Sequence, residues 1–148
     1  MHKRTISGLL NQISQLGPQF KFLTLEHLPL KDGLIVQELC RIFQTLPCLT
    51  WFYISFTKMS DETKLMQYVI KSMQNMPCSD FLKDFAWFNS GQSFTKSTIP
   101  LAEAVNELPS LNSISLSISE TDKQSSEFLS LERQYESKGR KIYTTRML

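Results

Sequence analysis

The chain is expected to fold as an α/β solenoid, a stack of helix–turn–strand units that share one sheet and one core. Three observations predict this. The pattern Leu23-x-Leu25 … Leu30-x-Asp32 recurs 29 positions later as Phe52-x-Ile54 … Met59-x-Asp61. A helix-ending proline recurs in Leu46-Pro47-Cys48 and Met76-Pro77-Cys78. The pattern apolar-x-x-apolar-x-apolar recurs in Leu49-Thr-Trp-Phe52-Tyr-Ile54 and Leu111-Asn-Ser-Ile114-Ser-Leu116. A fixed period in this range marks units that bury their apolar faces only against their neighbours.

Four units follow in order. Unit one takes Ile6, Leu9, Leu10, Ile13 and Leu16 as a helix, Gly17-Pro18 as the turn, and Phe20, Leu23 and Leu25 as the strand. Unit two places Ile35, Leu39, Ile42, Phe43 and Leu46 at a 3.6-residue period over 33–46. Pro47 closes that helix, because the residue before a proline is pushed out of the α region. Unit three has a helix over about 62–76 and then Leu82, Phe85 and Trp87, with a turn about three residues longer. Unit four has Leu101, Val105 and Leu108, then Pro109, then Leu111, Ile114 and Leu116. Asp32 and Ser60/Asp61 stand where helix N-caps satisfy otherwise unpaired backbone donors. The buried set is expected to include Leu25, Leu39, Leu49, Phe52, Ile54, Leu108, Leu111, Ile114 and Leu116.

Beyond Ser119 the template is expected to fail. Residues 124–138 read as an amphipathic helix with Phe128, Leu131 and Tyr135 on one stripe and Gly139 as its stop. The chain thus divides into 1–119, a repeat region of about four units, and 120–148, a capping helix followed by a basic tail.

At 148 residues and 41% hydrophobic, the chain suits one domain with one core. Its net charge of +2 does not by itself argue for nucleic acid or a membrane. Three cysteines (Cys40, Cys48, Cys78) without a CxxC argue against a disulfide framework. They read as buried thiols of a reducing compartment, which places the protein inside the cell, in the cytoplasm. The acid-free, basic segment 1–16 also fits, loosely, an organelle-targeting segment, so a mitochondrial location is the alternative. No apolar run reaches transmembrane length, and no membrane insertion is expected.

The run Leu23-x-Leu25 … Leu30-x-Asp32-Gly33-Leu34 … Leu39 … Phe43 … Leu46-Pro47-x-Leu49-x-x-Phe52-x-Ile54 resembles the leucine-rich repeat. It is most similar to the long 28–29-residue, ribonuclease-inhibitor-like type. The resemblance covers about residues 6–118. Phe, Met and Trp often replace leucine, and Asn89 alone matches in kind the Asn or Cys usual after the strand. The resemblance implies a right-handed solenoid, with parallel strands on the concave face and helices outside. It also implies protein binding rather than catalysis.

Residues between the buried strand positions are expected on that concave face: Phe22, Thr24 and Glu26; Trp51, Tyr53 and Ser55; Asp84, Ala86 and Phe88; Ser113, Ser115 and Ser117. Phe22, Trp51 and Tyr53 form an aromatic cluster, and aromatics are common interface anchors. The opposing reading is that another segment of the chain covers them. Phe22, Thr24, Glu26, Trp51, Tyr53, Ser55, Asp84 and Phe88 are therefore the candidate protein-binding residues. Lys138, Arg140, Lys141 and Arg146 are candidate phosphate contacts, with Tyr143 among them, as single-stranded RNA binding would need. The plainer reading of that stretch is a solvated tail.

Catalytic chemistry finds little support. His27 and the cysteines sit at unrelated template positions, and two distant histidines do not make a metal site. Five glycines supply no phosphate loop. Asp61-Glu62 suits a helix start better than acid–base chemistry. No enzyme activity, cofactor, metal or small-molecule substrate is expected. Two functions remain. The first is a non-catalytic adaptor or accessory subunit that binds other proteins through its concave face. The second is a peripheral subunit of a ribonucleoprotein particle, held to RNA by basic termini.

Overall fold

The structure is a computed structural model that describes residues 21–28, 48–56, 70–71, 80–89 and 98–146. Strands β1 (Phe22–Leu28), β2 (Trp51–Phe56), β3 (Asp84–Asn89), β4 (Ser113–Ile118) and β5 (Lys141–Arg146) form one sheet in chain order, β1-β2-β3-β4-β5. Every neighbouring pair is parallel. Three described helices lie between these strands: α1 (Ile99–Val105), α2 (Glu120–Lys123) and α3 (Ser126–Ser137). This is an α/β fold with an all-parallel sheet. Parallel strands need crossover connections, and α1 and α3 lie in the last two of them.

The sequence repeat is a repeat of register. Phe22 pairs with Trp51 and Asp84 with Ser113, each 29 positions on. Trp51 pairs with Asp84 at 33, which accommodates the longer third turn. Ser113 pairs with Lys141 at 28. The same hydrogen bonds open successive strands. The Lys21 carbonyl accepts from the Thr50 and Trp51 amides, the Thr50 carbonyl from Lys83 and Asp84, and the Lys83 carbonyl from Asn112 and Ser113.

The period-2 alternation sorts each strand into a buried and an outer face. In β4 Ile114, Leu116 and Ile118 are buried, while Ser113, Ser115 and Ser117 are half-buried. Parallel register then stacks like on like. Leu23, Phe52, Phe85, Ile114 and Ile142 form one row, and its first four members are buried. Ile54, Trp87 and Leu116 form part of the next row and are fully buried. Phe52 stacks on Phe85 at 5.6 Å, and Phe85 on Trp87 at 6.1 Å, both within the range of favourable offset stacking. Leu49, Leu82, Leu108 and Leu111 close the core where strands begin. Leu39 lies outside the described residues, and so does the Leu25 side chain. Of the helix expected over 62–76, Ile70 and Lys71 are described, and both are helical.

The C-terminal segment corrects the expectation of four strands and a basic tail. Residues 141–146 are β5, paired with β4 from Ser113↔Lys141 to Ile118↔Arg146. The expected helix is α3, and the short α2 precedes it. Ser119 caps α2 by accepting from the Asp122 amide at 3.1 Å, and Ser125 caps α3 by accepting from the Phe128 amide at 3.2 Å. Gly139 ends α3 at φ 71°, the left-handed conformation that glycine adopts without steric cost. Phe128, Leu131 and Tyr135 are buried, as the helical stripe predicts.

Tyr135 ties α3 to α1: its hydroxyl donates to the Ala102 carbonyl at 2.7 Å. Burial raises the Tyr135 hydroxyl well above its ordinary pKa of about 10, while the positive charge of Arg140 pulls weakly the other way. The folded protein therefore holds this proton beyond the pH at which the unfolded chain loses it. The resulting stability is complete below about pH 10 and drains as pH rises above it. Tyr135→Phe should cost about 1 kcal/mol near neutrality, since the Ala102 carbonyl keeps its bond from the Asn106 amide. Urea melts at pH 7 and above pH 10 check this. The gap between the two proteins should narrow at alkaline pH.

Candidate interaction face of the sheet

The outer face of the sheet brings the sequence candidates into rows. The first row runs Phe22, Trp51, Asp84, Ser113 and Lys141. The second runs Thr24, Tyr53, Ala86, Ser115 and Tyr143. Ser55 and Phe88 are paired in a third. These residues share one face because parallel partners point the same way and alternate residues along a strand share a side.

Three of the aromatic side chains, Trp51, Tyr53 and Phe88, are in contact. Trp51 stacks on Tyr53 at 6.0 Å with an interplanar angle of 21°. Tyr53 meets Phe88 on the next strand at 5.1 Å. Phe88 thus belongs to the aromatic cluster that the sequence suggested for Phe22, Trp51 and Tyr53. Phe22 is 65% exposed, and Trp51, Tyr53 and Phe88 are half-buried. Ala86 lies on this face but is only 6% exposed, beside the larger Tyr53, so it contributes floor rather than contact surface. Tyr143, 54% exposed, extends the face to the last strand. In the sequence it lies among the basic residues Lys141 and Arg146. Asp84 accepts a hydrogen bond from the Ser113 hydroxyl at 2.8 Å. Glu26 is on β1, and its side chain is outside the described residues.

The basic candidates divide. Arg140 does not stand free for phosphate. Its guanidinium donates to the Asn106 carbonyl, to Asn106 Oδ1 at 3.0 Å and to the Leu108 carbonyl at 2.8 Å. The Lys138 ammonium donates to the Asn106 carbonyl at 2.9 Å and lies 3.7 Å from Glu107. Both cations therefore satisfy the orphan carbonyls where α1 ends, and their charge suits the negative end of its dipole. Asn106, itself buried, donates to the Gln134 carbonyl at 3.4 Å and ties the same corner to α3. Lys138 and Arg140, two of the four expected phosphate contacts, are thus engaged at the end of α1. Lys141 is exposed on the outer face. Arg146 is on β5, and its side chain is outside the described residues.

Arg140→Ala should cost about 1–2 kcal/mol, because hydrogen bonds from a charged donor are stronger than neutral ones. A chemical melt measures it. The outer face, on another side of the sheet, should keep its binding.

Cys48 is a free thiol and half-buried, rather than buried as expected. Cys40, Cys78 and His27's side chain lie outside the described residues. Among the described residues no group of three or more His, Cys, Asp and Glu side chains is placed to hold a metal ion. Among them no helix is long and apolar enough to cross a membrane.

The fold and this face define an α/β protein whose parallel sheet presents an aromatic and hydroxyl-rich surface. No protein-family model, curated protein or solved structure matches the chain.

Proposed function

We propose that this protein is a non-catalytic protein–protein interaction module, an adaptor or accessory subunit of a larger complex, that binds its partner through the outer face of the sheet. The observation that carries this reading is the composition of that face. Phe22, Trp51, Tyr53, Phe88 and Tyr143 share it with the hydroxyls of Thr24, Ser55, Ser113, Ser115, Ser117 and Thr145. Asp84 and Lys141 are the charged side chains described on it. Interface cores are enriched in aromatics and depleted of charge. Rigid aromatics give large contact area at low entropic cost, and serines give adaptable hydrogen bonds, the combination that binding surfaces of antibodies use.

The finer architecture belongs to the same proposal. The recurring register and strand-entry hydrogen bonds support a right-handed solenoid resembling a leucine-rich repeat, with the sheet concave and helices outside. An intracellular, cytoplasmic location follows from reading the cysteines as reduced thiols.

The RNA reading is the less favoured one. Binding single strands needs aromatics within a basic groove. Here Lys138 and Arg140 are committed to the end of α1. Salt dependence tests the choice. Partner retained on the immobilised chain should persist from about 50 to 500 mM salt and survive ribonuclease, because phosphate contacts weaken steeply with salt and apolar ones do not. Release in both conditions would favour RNA.

A further inference from the structure

We propose that Trp51 and Asp84 form an arginine-binding site that receives a short, extended, arginine-bearing segment of the partner. This deepens the reading of the outer face and rests on it. The two residues are direct partners on adjacent parallel strands and point to the same side. Parallel neighbours lie about 4.8 Å apart, so the indole and the carboxylate flank one position above the sheet.

Each group is held in place. Trp51 is braced by its stack on Tyr53. The Asp84 carboxylate is anchored through Oδ1 by the Ser113 hydroxyl, and among the described residues Oδ2 accepts no side-chain bond. Among the described residues no lysine or arginine pairs with Asp84. A half-buried carboxylate one strand from an aromatic residue in the same row, with no cation paired to it among the described residues, has the chemistry that a guanidinium satisfies twice. The guanidinium stacks on the ring and hydrogen-bonds the carboxylate in one plane. Phe22, next to Trp51 in the same row and largely exposed, offers apolar surface for the side chain's methylene stem. Lys141 lies two strands beyond Asp84, across Ser113, so the cation enters from the β1 side.

The size of the face selects a segment rather than a second copy of the chain. Five strands span roughly 19 Å and six residues roughly 20 Å, an area of about 400 Å², half of the ~800 Å² per partner of a stable interface between folded proteins. An extended segment of about six residues covers it.

The test is a titration of the intact chain with the capped tripeptide Ac-Leu-Arg-Leu-NH2 and with its citrulline and glutamate counterparts, at low salt. The indole N–H resonance of Trp51 reports binding, and that of the buried Trp87 serves as the internal reference. Citrulline keeps the shape of arginine and removes its charge. The arginine peptide should bind at least about fivefold more tightly than the citrulline peptide. Asp84→Asn, whose amide oxygen still accepts from Ser113, should erase that preference, and Asp84→Lys should turn it toward the glutamate peptide. Equal binding of the arginine and citrulline peptides, no saturable binding of either, or an unchanged preference in Asp84→Asn overturns the proposal. Equal binding that Trp51→Ala abolishes removes the arginine site and leaves the aromatic face standing. Binding indifferent to Trp51→Ala removes both.

Discussion

Phe52→Ala is expected to destabilise the protein by about 3–5 kcal/mol, since the cavity adds to the lost transfer energy. Phe52 sits in the middle of the buried row, between Leu23 and Phe85, with no exposed surface. Its ring stacks on Phe85, which in turn stacks on Trp87, so truncation removes the first contact of a three-ring run. Because each strand pairs only with its neighbours in chain order, a defect in β2 severs β1 from the rest of the sheet. The loss is comparable to the whole stability of a small domain. Urea unfolding followed by Trp87 fluorescence measures it. A variant that melts within 1 kcal/mol of the wild type would mean that the ring is not packed in this row.

Trp51→Ala is expected to weaken partner binding by about 2 kcal/mol or more, roughly 30-fold, and to leave folding nearly unchanged. The contrast with Phe52 comes from one position along a strand. Alternation turns Trp51 outward, where it is half-exposed and touches Tyr53, whereas Phe52 faces the core. Surface aromatics of this size add little to a fold but anchor interfaces. Ser117→Ala, on the same face at β4, should cost binding little. Titration of an isolated partner beside thermal melting of the free variant separates the two effects.

Much of this was legible in the chain, for a physical reason. Where apolar residues fill the strand template, as in Leu49, Phe52, Ile54 and Leu111, Ile114, Leu116, burial and face follow from alternation alone. The 29-residue offset then predicted the register of Phe22 with Trp51. The fifth strand was hidden because its template positions hold Gly139, Ile142 and Thr144, and a single apolar residue does not carry a period. Its helix was visible through Phe128, Leu131 and Tyr135, and the repeat template expects a strand after each unit's helix, as β4 follows α1; that was the signal available. Reading Lys141, Tyr143 and Arg146 by charge rather than by alternation made the strand look like a tail.

The candidate site was legible as a face but not as a network. Pairing of Phe88 with Tyr53 depends on the diagonal between neighbouring strands, which spacing alone does not give. The roles of Lys138 and Arg140 were illegible, because the carbonyls they cap belong to residues some thirty positions earlier. A helix end in need of donors leaves no mark on the distant residue that supplies them.

Site-specific photo-crosslinking locates the partner most directly. A benzoylphenylalanine in place of Thr24, exposed on the outer face, is compared with one in place of Leu129, exposed on α3. The partner should be captured from position 24 and not from position 129, and Trp51→Ala in the same chain should abolish capture. Capture from position 129 alone, or capture from position 24 that survives Trp51→Ala, would contradict a binding surface built on the aromatic face of the sheet.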